Sequence, residues 1–257
     1  MKRTMTPLLC VVVAGFCASA EASLITRLAS DNATIQNAGP RTGANGKAGY
    51  NMEGSNNGSF SSFGVADFNF SSLHFTGPVT SVTAAVLKLT QFNAAFSATT
   101  GVSVYLASDT TDSIQPTFSP FVDQNAFAPP PVDGLASVDP GLFNFAFDPS
   151  YLLGSGTYVK LANGAADNYT LTFTGAALTN ILNALNTGGT LRLVTTADAA
   201  TGAATYAGYT NSNPLLPGPT LSFVTDATVI PVPEPASAVL LGVTLIGLVG
   251  FRRSQRR

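Results

Sequence analysis

A chain of 257 residues that is 45% hydrophobic, only 10% charged, and rich in glycine (24) and proline (16) has the composition of an extracellular β-rich protein, not of a cytoplasmic enzyme. Between Ser23 and Pro231, six lysines and arginines face Glu53 and eleven aspartates, and this excess of six acids argues against nucleic acid or anionic lipid as a partner. Both cysteines, Cys10 and Cys17, fall within the first 22 residues, so the remainder has neither a disulfide framework nor a thiolate metal site.

Residues 1–22 read as a signal peptide. Lys2 and Arg3 give a basic start, residues 8–16 are mostly apolar, and Ala18-Ser19-Ala20 or Ala20-Glu21-Ala22 offers a small-residue cleavage site. The implied partners are the Sec translocon and signal peptidase. Residues 23–225 are expected to form one β-sandwich, a single domain at that length.

Strand signals then dominate. The run 63–70 alternates in part, with Phe68 and Phe70 opposite Asp67 and Asn69. In 82–90, Val86 and Lys88 oppose Leu87 and Leu89. Shorter strands are expected at 102–106, 142–147, 158–161, 169–173, 191–194, 204–209 and 221–224, with one more around Tyr50. Period-two runs between Gly, Pro and Asn punctuation point to a sandwich or barrel, and the lack of alternating helices argues against a parallel sheet. One helix is expected: Thr174 as N-cap, Leu178, Ile181, Leu182 and Leu185 on one face, and Gly188 as the left-handed stop. The stretch 116–140, with Pro129-Pro130-Pro131, reads as an extended connection.

With the strands laid out, Thr80 to Leu89 (TSVTAAVLKL), the later LTFT and ILNAL segments, TLRLVT, and GPTLSF from Gly218 to Phe223 follow a recognisable order. The body resembles the jelly-roll, carbohydrate-binding-module-like domains of secreted bacterial proteins, including the DNRLRE group. That resemblance implies an all-β, jelly-roll-like sandwich and a polysaccharide ligand.

Little in the body reads as reaction chemistry. His74, the one histidine, alternates with Leu73 and Phe75 and is expected on a solvent face; no G-x-S-x-G nucleophile turn occurs. Gly154-Ser155-Gly156 reads as a turn. Glu53 is the only glutamate of the body, which leaves the carboxylate pair of a glycoside hydrolase without support. Asp109 and Asp112 form the best oxygen cluster and are the candidate ligands for a structural calcium ion, although the glycine and terminal glutamate of an EF-hand loop are missing. No other cofactor is expected. Tyr206 and Tyr209 are the candidates for stacking on a sugar ring.

The chain closes on three parts in fixed order after a spacer at 226–231. Pro233, Glu234 and Pro235 come first, an apolar run at 236–251 follows, and Arg252, Arg253, Arg256 and Arg257 lie in the basic tail 252–257. An apolar run followed by arginines is a stop-transfer signal and marks a C-terminal transmembrane helix. Two prolines beside one glutamate break any helix, so the tripeptide has a reader other than the fold. At about 1.5 Å per residue the apolar run spans roughly 24 Å, short of the ~30 Å hydrocarbon core. A temporary anchor suits that length better than a permanent one.

This order resembles the PEP-CTERM sorting signal of exported bacterial proteins, at 232–257. The resemblance implies processing by an exosortase-type membrane protease, transient anchoring in the inner membrane, and release to the cell surface or an exopolysaccharide matrix. The reading that follows is a non-catalytic structural or adhesive envelope protein. A polysaccharide-binding module is the alternative, and a hydrolase using Glu53 or His74 ranks last.

Overall fold

The computed structural model describes residues 22–36, 39–40, 47–54, 62–107 and 149–230. Residues 1–21 of the expected signal peptide, the expected strand at 142–147, Asp109 and Asp112, and the whole of 232–257 lie outside the described residues. Among the described residues, no helix is long and apolar enough to cross a membrane.

The protein is mostly β, in two sheets. The strands are β1 (Ser23–Leu28), β2 (Asp31–Gln36), β3 (Gly39–Pro40), β4 (Gly49–Glu53), β5 (Ser62–Asn69), β6 (Val82–Thr90), β7 (Thr100–Leu106), β8 (Leu152–Tyr158), β9 (Ala166–Leu171), β10 (Thr190–Ala197), β11 (Ala203–Ala207) and β12 (Thr220–Thr225). The smaller sheet has the order β1-β12-β6-β9, every pair antiparallel. The larger sheet runs β11-β4-β5-β10-β7-β8, with β2 also on β5 and β3 on β2. A shared core joins them: Ile25, Leu87, Leu89, Tyr169, Leu221 and Phe223 of the first sheet meet Phe68, Val102, Val104, Leu191, Leu193 and Tyr206 of the second. Phe70, just past β5, stands edge-on to Phe223 at 5.9 Å between centroids. This is a β-sandwich arrangement.

The smaller sheet shows the expected alternation. In β6, Ala85, Leu87 and Leu89 are buried while Ala84 and Lys88 are exposed. The larger sheet departs from it, because β5 is buried at every position from Ser62 to Phe68 and β10 from Leu191 to Ala197. Strands buried on both faces lose their polar alternation, which is why 63–70 alternates only in part. The polar positions there are paired. Arg192 lies opposite Asp67 in the β10–β5 register, and its Nε and Nη2 reach Oδ1 and Oδ2 at 2.7 and 2.9 Å. Burial pushes the Asp67 carboxyl up, and the bidentate guanidinium pulls it back.

The helix α1 (Gly175–Thr187) forms where its spacing predicts. Thr174 occupies the N-cap position, although its side chain makes no capping bond, and Gly188 is left-handed at φ 68°. The face turned to the core is Ala177, Ile181, Ala184 and Leu185, with Leu178 and Leu182 half-buried beside it.

Three expectations change. The strand expected at 158–161 lies earlier, as β8, which ends at Tyr158. Gly154-Ser155-Gly156 is not a turn but the middle of β8. A Cβ on Gly154 would meet the Thr170 carbonyl oxygen at 2.1 Å, and one on Gly156 would meet the Tyr169 ring at 2.9 Å. Glycine is there for close approach of β9, a use that sequence punctuation does not distinguish from a turn. The stretch beginning at Asp226 is likewise no free spacer as far as it is described. It is hydrogen-bonded to the body up to Ile230, as follows.

Candidate functional site

Three places in the described body bear on function. The first is the C-terminal exit. Beyond β12 the chain does not leave the surface. The Asp226 carboxylate accepts from the backbone N–H groups of Thr80 (3.0 Å) and Ser81 (3.1 Å) and from the Thr80 hydroxyl. These donors hold its pKa down at about 2, below the ordinary carboxylate value. Ala227 is buried, and the Thr225 hydroxyl donates to its carbonyl at 2.9 Å. The Thr76 N–H donates to Thr228 O at 3.0 Å, Val229 forms a β-bridge with Phe75, and the Ile230 N–H donates to His74 O at 2.7 Å.

Ser23, the first residue of β1, pairs with Thr225, and its hydroxyl accepts from the Val229 N–H at 3.3 Å. The first and last strands of the body therefore begin and end side by side. Beside the exit lies a groove of about 940 Å³ lined by Leu73, Phe75, Pro78, Leu185 and Ile230 among others, and the exposed His74 is also part of it.

The second place is a buried tyrosine cluster between the sheets. Tyr206 is fully buried on β11, its hydroxyl 2.5 Å from that of Tyr169 and donating to Asp167 Oδ2 at 2.9 Å. Gln91 Nε2 donates to the same oxygen at 3.0 Å and to Val159 O at 2.9 Å, while Gln91 Oε1 accepts from the Leu161 N–H. Tyr158 stands edge-on to Tyr206 at 5.5 Å and donates to Ser97 Oγ at 2.6 Å. Burial raises the Tyr206 and Tyr169 hydroxyls well above the ordinary phenol value, so both remain protonated donors. The cluster joins the two sheets where β11 meets the end of β6, at the Gln91–Tyr206 bridge. The Tyr206 ring thus presents no face to a ligand.

The third place holds Tyr209. This tyrosine is half-buried, and its N–H donates to Asn32 Oδ1 at 2.6 Å. Lys47 Nζ lies 5.9 Å from the centre of its ring and pairs with Asp31. Asn32, the first residue of an N-x-T pattern, is itself fully buried, with its amide nitrogen donating to Gly49 O, so its side chain is engaged in packing. Tyr209 lies against Gly218, near the Thr220 end of β12, whereas the chain exit follows the Thr225 end. The two tyrosines that sequence groups as one stacking pair thus have different roles. Tyr206 is core; Tyr209 is partly open and flanked by charge.

The remaining candidates are dispersed. Glu53 is half-buried and pairs with Ser62 at the start of β5, while His74 comes after the end of that strand. No cluster of three metal-binding side chains occurs among the described residues. Gln91, Thr80 and Asp226 were not legible as functional positions, because each works through partners at least 68 residues away in the chain.

A search of curated proteins finds no match to this chain. The C-terminal segment does match: residues 231–257 fit the PEP-CTERM protein-sorting motif. The clasped Ile230 is therefore the last residue before that motif, and Pro233, Glu234 and Pro235 are its namesake tripeptide. The chain carries a PEP-CTERM protein-sorting motif, which implies a protein sorted by an exosortase to the cell surface.

Proposed function

We propose that the body is a non-catalytic structural or adhesive component of the cell envelope or extracellular matrix, exported through the Sec pathway and released by exosortase processing. The observation that carries this reading is the sorting motif at 231–257, joined to a body whose buried polar groups hold its sheets together. Arg192–Asp67 and Tyr206–Asp167–Gln91 are packing contacts of this kind. An exopolysaccharide matrix is the setting that the tag suggests, and a jelly-roll connectivity is the finer reading of the two sheets. The test is a mass measurement. Wild type matures to a form lacking its C-terminal segment, whereas Glu234→Ala stays full-length at that end and membrane-retained. Equal C-terminal masses for the two would remove the motif from the account.

A polysaccharide-binding role is the second reading, favoured by the partly open Tyr209 ring beside Lys47 and Asp31. Tyr209→Ala should abolish glycan-array binding while the fold persists. Binding that survives this change, or no binding by wild type to any envelope polysaccharide, rejects the role.

A further inference from the structure

The exit described above has a consequence for processing, and it rests on the exosortase reading of the tag. Two residues, Pro231 and Val232, lie between Ile230 and Pro233, and three residue steps reach at most about 11 Å. A body of ~200 residues has a radius of gyration near 16 Å. With the exit closed, chain length alone keeps the tripeptide that the protease must read within about 11 Å of Ile230 and so close to the body. A peptide recognised in extended form also needs its own backbone N–H and C=O groups and alternate side chains for the cleft. Just upstream of the motif those groups are already engaged: the Ile230 N–H on His74 O, Val229 bridged to Phe75, and the Thr228 carbonyl on the Thr76 N–H. Fastened at its head by the Asp226 carboxylate on Thr80 and Ser81, the segment is a clasp.

We propose that residues 226–230 gate exosortase processing. The clasp must release from Thr80, Thr76, Phe75 and His74 before Pro233, Glu234 and Pro235 can seat in the protease. Asp226 and Thr80 set how often it does. Release frees five more residues, about 17 Å of extended chain, and moves the body off the membrane surface. Asp226 and Thr80 are positioning residues.

The test is the rate at which the full-length chain converts to its mature form in an exosortase-bearing host, followed by pulse-chase. Asp226→Ala and Thr80→Val loosen the head of the clasp at a surface site, and the sandwich should still fold. Asp226→Ala should speed conversion about tenfold, the size expected for losing hydrogen bonds to a charged group. A six-residue Gly/Ser insertion between Ile230 and Pro231 leaves the clasp intact but lengthens the tether. It separates the effect of tether length from that of clasp opening and should speed conversion less. The same insertion between Ala162 and Asn163, in a surface turn, is the control and should leave the rate at the wild-type value. Wild-type conversion rates in both Asp226→Ala and Thr80→Val overturn the gate while leaving the sorting reading intact. A wild-type chain that never shortens overturns both.

Discussion

At the scale of single residues, a side chain that sequence offers as functional can instead hold the body together. Tyr206 is the clearest case. Tyr206→Phe removes a hydroxyl placed between Tyr169 and Asp167 and should cost about 1–3 kcal/mol in denaturant unfolding of the exported protein. Tyr206→Ala adds a cavity and should cost about 3–5 kcal/mol, so loss of binding in that variant would report unfolding and not a ligand site. Ala84 points the other way. It is a non-glycine residue at φ 49°, exposed, and sits in β6 where the register with β12 shifts between Ser222 and Val224. Left-handed backbone disfavours any Cβ, so Ala84→Gly should raise stability by about 1 kcal/mol, read as a higher urea midpoint. Asp226 supplies a pH dependence. Its carboxyl has a lower pKa folded than unfolded, so its stabilisation is complete above the ordinary carboxylate value and is lost as pH falls through about 2. The protection factors of Val229 and Ile230, taken relative to intrinsic exchange at each pH, should fall over that acid range in wild type and show no such step in Asp226→Asn.

At the scale of elements, legibility followed the number of buried faces. β6 and α1 each turn one side to the core, so a period of two and a helical period respectively were visible, and both elements lie where those periods place them. β5 and β10 are buried on both sides and blur the alternation. β1 and β2 gave no signal above their polar neighbours: Thr26 and Arg27 interrupt β1, and in β2 Asn32 and Thr34 are buried by hydrogen bonds that no pattern announces. In β8, glycine misled for a physical reason, since Gly154 and Gly156 admit the neighbouring strand. Gly156→Ala should therefore disturb the β8–β9 contact and the Tyr169 ring, lowering the melting temperature, whereas the same change in a true turn would do little. Gly188 was read correctly because its requirement is local. Gly188→Ala combines a φ of 68° with a Cβ 3.2 Å from Ser71 Cα and should cost about 1–2 kcal/mol by thermal unfolding.

At the scale of the whole molecule, the address was legible and the site was not. The sorting motif is a contiguous stretch with its chemistry in order, readable without a fold. The Tyr209–Lys47–Asp31 patch and the clasp draw on residues from distant parts of the chain, which only the fold brings together. The pairing of Ser23 with Thr225 carries a last consequence. As a path in space the body is almost a closed ring, its two ends being register partners in one antiparallel pair, about 5 Å apart. A ring can be cut elsewhere. Joining Ile230 to Ser23 by a short glycine linker and reopening the chain in the 162–165 turn keeps every strand partner and gives a circular permutant that should fold to the same two sheets. In such a permutant the sorting tag could be hung from a different point on the same body, so that where the body is held becomes independent of how it folds.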